Sequence, residues 1–312
     1  MQRDPEDLYE LGDGWPDLDG VPLLHHLEGF MDAGAAGRLL TEHLLGSGES
    51  ETVATFDVDR LIDYRSRRPT MIYSSDHWES YERPELSVRL LHDTAGAPFL
   101  LLSGPEPDHE WDLFTAAVQS VTERLGSGPV IGYQGIPMSV PHTRPLGVIS
   151  HATRPELVTG DQRLPDRLQV PGSAAALLEL RLGEAGRDAL GFAVHVPHYL
   201  AQAAYPEAAI ALLNAIGAVT GLKLDDGALR AAADRTNVEI DRQVADSTEV
   251  TELVSALERQ YDALAEAGPE TGEDSESNLL DGAEMPTADE LAAQFERFLA
   301  EQQGRGDPPP ER

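Results

Sequence analysis

The segment Val21 to Leu45, VPLLHHLEGFMDAGAAGRLLTEHLL, constrains the fold more than any other part of the chain. An apolar run, Val21 to Leu27, meets a turn at Glu28-Gly29-Phe30-Met31-Asp32. An alanine- and glycine-rich stretch then sets Leu39, Leu40, Leu44 and Leu45 on one helical face. A strand feeding a helix in this way belongs to an α/β sheet, and ligands of open α/β sheets gather at such junctions. The segment therefore poses the functional question as well as the structural one.

The same alternation continues to about Gly221. Strands are expected at Val21–Leu27, Val53–Phe56, Thr70–Tyr73, Leu86–His92, Pro98–Leu102, Val130–Tyr133, Leu146–Ser150 and Leu190–Val196. Leu86–His92 and Pro98–Leu102, joined by Asp93-Thr94-Ala95-Gly96-Ala97, read as a hairpin inside a mixed sheet. Helices are expected at Gly34–Leu45, Glu110–Leu125, Ser173–Leu182 and Pro206–Val219, the last opened by a proline that suits a first turn. The pattern predicts an α/β protein, a three-layer αβα sandwich with a mixed central sheet.

A helical extension follows. One stripe runs through Leu229, Ala233, Thr236, Ile240 and Val244, and a better one through Val250, Leu253, Val254, Leu257, Tyr261 and Leu264. The expected organisation is an N-terminal extension (1–20), a core domain (21–225), a helical extension (226–267), an acidic linker (268–286), a last helix (287–303) and a disordered tail (304–312). The last helix opens on a capping box, Thr287-Ala288-Asp289-Glu290, and carries Leu291, Phe295, Phe298 and Leu299. Val-Pro-His occurs twice, at 140–142 and 196–198.

Composition excludes several classes. The 55 acidic residues against 23 basic ones give a net charge of −32, which argues against nucleic acid, because phosphate contacts need clustered cations. Zero cysteines exclude disulfides and thiolate chemistry. No apolar run approaches the ~18–20 residues of a membrane span, and the acidic start MQRDPEDLYELGDG does not read as a signal peptide. The expected setting is the cytoplasm. Lys223 is the only lysine; with abundant Ala, Gly and Asp such a bias fits a GC-rich genome, and a salt-loving host is the rival explanation of so acidic a surface.

Several segments in order resemble the proteasome assembly chaperone 2 family, in its actinobacterial branch. They are Gly29-Phe30-Met31-Asp32-Ala33-Gly34, Phe56-Asp57 with Leu61-Ile62-Asp63-Tyr64-Arg65 and Arg68-Pro69, and Leu102-Ser103-Gly104-Pro105-Glu106-Pro107 with Trp111. Val140-Pro141-His142-Thr143-Arg144-Pro145, Pro171-Gly172-Ser173 and Val196-Pro197-His198-Tyr199-Leu200-Ala201 complete the series. The resemblance implies a fold related to nucleoside phosphorylases, oligomers, and scaffolding of proteasome assembly without established catalysis. Some members dock through a C-terminal hydrophobic–tyrosine–any tripeptide; the ending here is Pro310-Glu311-Arg312, so that route is not expected.

Each candidate site has a structural reading beside the functional one. Gly29-x4-Gly34 imitates a phosphate loop but is followed by Ala35 and Ala36 instead of Lys and Ser or Thr. Asp32 is better read as a helix cap. Phe56-Asp57-Val58-Asp59 imitates the Asp-x-Asp of haloacid-dehalogenase-type phosphatases, with Lys223 as the required lysine; the alternative is a short helix capped by Asp59. His142-Thr143-Arg144, stiffened by Pro141 and Pro145, suits an anion or an acidic partner, or else an arginine pairing with Glu28, Asp32 or Glu106. His195-x-x-His198, with His25 and Glu28, offers metal-ligating types, but strand alternation sends neighbours apart, so no metal site is assigned. Phe30 and Met31 read as core or interface contacts, and Trp111 as a core residue.

The leading expectation is a non-enzymatic scaffold or chaperone-like protein, a homo-oligomer with a trimer as first expectation. Its partners are proteasome subunits or other proteins, and it needs no cofactor. The rival is a hydrolase or phosphorylase acting on a nucleoside-like or other small metabolite. Its ligand candidates are Glu28, Asp32, Glu106, His142, Thr143, Arg144 and His198, with Glu28, Glu106 or His142 as the catalytic group.

Overall fold

The computed structural model describes residues 4–29, 31–158 and 167–267. In chain order the strands are β1 (Tyr9–Leu11), β2 (Leu23–Glu28), β3 (Glu51–Phe56), β4 (Met71–Ser74), β5 (His77–Tyr81), β6 (Ser87–His92), β7 (Pro98–Pro105), β8 (Val130–Met138), β9 (Val148–Ala152) and β10 (Ala189–Pro197). The helices are α1 (Ala36–Gly46), α2 (Val58–Leu61), α3 (Trp111–Leu125), α4 (Ala174–Glu184), α5 (Pro206–Thr220), α6 (Gly227–Ala245) and α7 (Thr248–Ala267).

Eight strands form one sheet in the order β1-β3-β6-β7-β2-β8-β10-β9. Strands β7, β2, β8 and β10 are parallel, so their carboxyl ends share one edge. Strands β6 and β7 form the expected antiparallel hairpin, and β9 runs antiparallel to β10. Because β2 is buried on both faces, Leu23 and Leu24 enter different cores. Leu23 joins Phe114, Val118 and Val121 of α3 and Leu178 and Leu182 of α4. Leu24 joins Leu40 and Leu44 of α1, Ile210 and Leu213 of α5, and Leu229 and Ile240 of α6. Each such side chain contributes about 1.5–3 kcal/mol by leaving water. The result is a mixed sheet with helices on both faces.

The helix expected from Gly34 begins instead at Ala36. Gly34 and Ala35 take positive φ values of 67° and 50°, within a 3-10 turn at Ala33–Ala35. The backbone is tied there: Gly34 N–H donates to Ala201 O, and Tyr205 N–H donates to Gly34 O, both at 2.8 Å. A Cβ on Gly34 would lie 3.0 Å from Tyr205 Cβ, so glycine suits both the turn and the close approach.

Two strands were not legible in the sequence, β1 and β5. Strand β1 extends the sheet edge against β3, and Leu8 and Leu18 beside it are buried. Strand β4, expected among the core strands, pairs only with β5 in a separate two-stranded sheet. Met71, Ile72, Tyr73, Trp78 and Tyr81 of this hairpin are all exposed, Tyr73 at 57% and Trp78 at 63%.

The expected stripes of the extension are buried only in part, with Thr236, Val244, Val250, Leu253, Tyr261 and Leu264 half-buried. Leu229, Ala233 and Ile240 of α6 are buried, as are Val254 and Leu257 of α7. The expected linker, last helix and tail at 268–312 lie outside the described residues, as does Phe30.

Candidate functional site

The turns after β2, β7, β8 and β10 bring Asp32, Glu106, His142, Thr143, Arg144 and His198, with Glu28 at the end of β2, to the carboxyl edge of the parallel strands. They form three separate clusters there.

The first surrounds Glu106, which follows β7 and is 8% exposed. Its Oε1 accepts from Ala174 N–H at 2.7 Å, which satisfies an otherwise orphaned donor at the start of α4. Ser173 caps the same helix by accepting from Ala176 N–H at 3.1 Å. Arg67 staples the turns together, donating to Glu28 O at 3.1 Å, to Glu106 O at 2.6 Å and to the Asp108 carboxylate. Burial pushes Asp108 up, but the Asp63 N–H and Arg67 outweigh it and hold it below the usual carboxylate range. Glu28 enters this cluster through its carbonyl, while its side chain is exposed.

The second cluster centres on Asp32. Its Oδ1 accepts from Gly37 N–H at 2.8 Å and Gly135 N–H at 3.0 Å, and its Oδ2 from Arg38 N–H at 3.0 Å. Asp32 thus satisfies the second and third amides of α1 from before the 3-10 turn, while Ala35 holds the N-cap position that the sequence assigned to Asp32. His26 Nε2 lies 3.6 Å from the same carboxylate, with the ring stacked on Tyr133 at 5.7 Å.

The third cluster joins the core to the helical extension. His142 donates its backbone N–H to the Tyr199 hydroxyl at 2.8 Å, and its Nδ1 lies 2.7 Å from the same oxygen. Its Nε2 lies 3.5 Å from Asp241 of α6. Thr143 Oγ1 donates to Glu258 at 2.5 Å. Arg144 does not meet Glu28, Asp32 or Glu106; it grips Asp262 of α7 with Nε at 2.8 Å and Nη2 at 2.7 Å, and reaches Glu258 at 3.2 Å. The reason is geometric: α7 presents two carboxylates directly to a rigid guanidinium fork. Tyr261 O–H closes the contact on Pro145 O at 3.0 Å. His198 packs edge-on against Tyr199 at 5.5 Å, and burial lowers its pKa. A groove of about 430 Å³ runs beside this cluster, lined by His142, Thr143, Arg144, Glu207, Asn214 and Asn237.

The phosphatase parts are not assembled. Asp57, not Asp59, caps the short helix α2, accepting from Asp59 N–H at 3.2 Å, because the helix begins at Val58 and so takes Asp59 into its first turn, where its carboxylate accepts from the Tyr64 hydroxyl at 2.5 Å. Lys223 lies at the opposite sheet edge, its backbone N–H held by Asp93 at 2.7 Å in the β6–β7 turn. Sequence reasoning missed Tyr199 and Asp241. The repeated Val-Pro-His was the available signal, since one copy follows β8, the other straddles the end of the adjacent β10, and His142 meets Tyr199 just past the second copy. Trp111 is partly buried, its indole N–H donating to Pro107 O at 2.5 Å. Met31 is partly exposed.

A model of the PAC2 family matches residues 26–244. The chain belongs to the PAC2 family. A Mycobacterium tuberculosis protein of unknown function, Rv2714, is 43% identical, with 92% of this chain and 96% of that chain covered and a TM-score of 0.79. A Corynebacterium glutamicum protein of unknown function is 36% identical over 85% of this chain and 99% of that chain, with a TM-score of 0.80. A proteasome-assembly chaperone homologue of Mycobacterium tuberculosis, Rv2125, is 25% identical over 75% of this chain and 100% of that chain, with a TM-score of 0.69. No curated protein matches the chain. Among the described residues of this PAC2 protein, no helix is long and apolar enough to cross a membrane.

Proposed function

We propose that this PAC2 protein is a non-enzymatic, chaperone-like scaffold of the cytoplasm that acts through protein contacts, self-associates, and serves proteasome assembly. The exposed β4–β5 hairpin carries the reading. A two-stranded hairpin alone in water is marginal at best, so Met71, Ile72, Tyr73, Trp78 and Tyr81 call for a surface to cover them. Its composition fits a second copy of the chain. Residues 65–83 hold Arg65, Arg67, Arg68 and Arg83 against Asp76, Glu79 and Glu82, a near-neutral patch in a chain of net charge −32. Arginine and aromatic residues together are the usual anchors of interfaces. The family relation to a proteasome-assembly chaperone homologue supplies the assembly partner of the proposal.

The carboxyl edge argues in the same direction. Asp32 and Glu106 occupy the helix N-termini of α1 and α4, the positions where an anionic substrate would otherwise sit. The rival, a hydrolase or phosphorylase of a small metabolite, rests on the groove beside His142 and Tyr199.

Co-purification from the native host tests the proposal. Recovery of proteasome subunits with the wild-type chain, and their loss with Tyr73→Ser/Trp78→Ser, supports it. Recovery unaffected by the variant removes the hairpin from the contact, and no proteasome subunit in either sample removes the assembly role.

A further inference from the structure

We propose that residues 287–303 of a second copy cover the β4–β5 hairpin, so that chains associate by exchanging their C-terminal segments. The inference rests on the reading that a second copy contacts the hairpin, and it names the part of that copy that does so.

The register of the hairpin gathers its apolar side chains on one face. Met71 pairs with Tyr81 and Ile72 with Ser80, and the pairing then shifts and sets Tyr73 against Trp78. The shift leaves Glu79 as the extra residue of a bulge. Directly paired residues share a face, so Met71, Tyr73, Trp78 and Tyr81 come to one side of the ribbon. Without the bulge Trp78 would point to the other side, and Glu79 would take its place. Tyr73 and Trp78 meet edge to face at 5.1 Å. In one copy all four are exposed. The base of the ribbon is cationic. Thr70 O accepts from Glu82 N–H at 3.0 Å, and Arg68 stands just before it. Arg65 and Arg68 are exposed and form no ion pair among the described residues.

Residues 287–303 match that face in pattern and charge. Leu291, Phe295, Phe298 and Leu299 fall on one side of the helix expected there, and Asp289, Glu290, Glu296 and Glu301 outnumber Arg297. Laying an apolar helix stripe on an apolar surface is a recurrent mode of recognition. The nearer helix α7 is a poor alternative, because its Glu249, Glu252, Glu258, Asp262 and Glu266 against Arg259 repel an acidic segment. Reach is no obstacle. Arg67, shortly before β4, binds Glu28 O and Glu106 O at the carboxyl ends of β2 and β7; Arg144 holds Asp262 after β8, the strand beside β2. Both attachments lie on one sheet edge, and a coil as long as residues 268–286 has a root-mean-square span of about 24 Å. Exchange of an identical element is a low-cost route to an oligomer and leaves no copy's hairpin bare.

Sedimentation velocity and amide hydrogen exchange on the full chain test the exchange. The wild type should sediment as an oligomer with residues 71–81 protected. Phe295→Ser/Phe298→Ser should sediment as a monomer, and its hairpin amides should exchange about tenfold faster. A variant that keeps the wild-type oligomer and hairpin protection overturns the inference and leaves the hairpin contact between copies standing. A monomeric wild type overturns both. Cross-linking gives a direct check, because the chain has no cysteine of its own. Full-length Ser74→Cys and Ala292→Cys chains, co-expressed under different tags, should be joined by a bismaleimide into a species carrying both tags. Mixed chains that do not link, or a Ser74→Cys/Ala292→Cys chain that links only within itself, overturn the inference as well.

Discussion

Arg144 and Asp262 lie 118 residues apart in sequence and meet as a fork on a carboxylate, with separations of 2.8 and 2.7 Å. The pair fastens α7 to the turn after β8, and it turns the best sequence candidate for a ligand site into a joint between core and extension. Asp262 keeps Arg144 more firmly protonated, and Arg144 in turn holds Asp262 below the usual carboxylate range.

Salt should loosen that joint. Its partners face solvent, and the screening length falls to about 3 Å at 1 M salt. Hydrogen exchange in α7 should accelerate between 0.1 and 1 M sodium chloride while the core strands stay unchanged. Arg144→Lys should exchange faster than wild type at low salt, because an ammonium cannot grip both oxygens. Equal α7 exchange in Arg144→Lys and wild type would count against the fork.

Glu106 should matter as a cap. Glu106→Ala leaves the Ala174 N–H without its acceptor in a buried setting and should destabilise the protein by about 1–3 kcal/mol in urea unfolding. Glu106→Gln retains an acceptor oxygen and should lose less than half as much. Equal losses in the two variants would show that the carboxylate charge, not the acceptor, is what α4 uses.

His25 gives stability a defined acid limb. Burial, then the neighbouring His26 and His151, lower its pKa from 6.5 to about 4. A group with a depressed folded pKa leaves the unfolded chain holding the extra proton. Its contribution is therefore complete above 6.5 and declines as pH falls toward 4, by about 2 kcal/mol at pH 5. His25→Leu should flatten the unfolding free energy between pH 7 and 5 by about that amount. A slope unchanged from wild type would contradict the assignment.

Gly135 has no room for a side chain. Its Cβ would lie 2.1 Å from the Ala33 carbonyl oxygen, beside the Gly135 N–H that donates to Asp32. Gly135→Ala should displace the α1 turn and destabilise the fold by about 1–3 kcal/mol, read by thermal unfolding, in contrast to a near-neutral Gly48→Ala, where the space is open.

The fold was legible where burial shapes the sequence. Strand β10 is buried at every position and reads as an apolar run interrupted only by His195, and α3 carries its core residues at helical spacing. Strand β5, His77–Tyr81, is exposed at every position and has no apolar period to betray it. The carboxyl-edge residues were legible as types and positions, because strand ends can be counted. Their partners were not. Arg144 had three acidic residues within reach of its own edge, and only the path of α7 decides that Asp262 and Glu258 take it. Asp57 and Asp59 differ by where α2 begins, at Val58, and a boundary shifted by two residues exchanges cap and first turn.

Sedimentation velocity at micromolar concentration tests the central claim, action through protein contacts, most directly. The wild-type chain should sediment as an oligomer, with a trimer expected, and Ile72→Ser/Trp78→Ser should sediment as a monomer with unchanged far-ultraviolet circular dichroism. A wild-type chain that is monomeric at this concentration, or a hairpin variant that keeps the wild-type oligomer, would contradict the account.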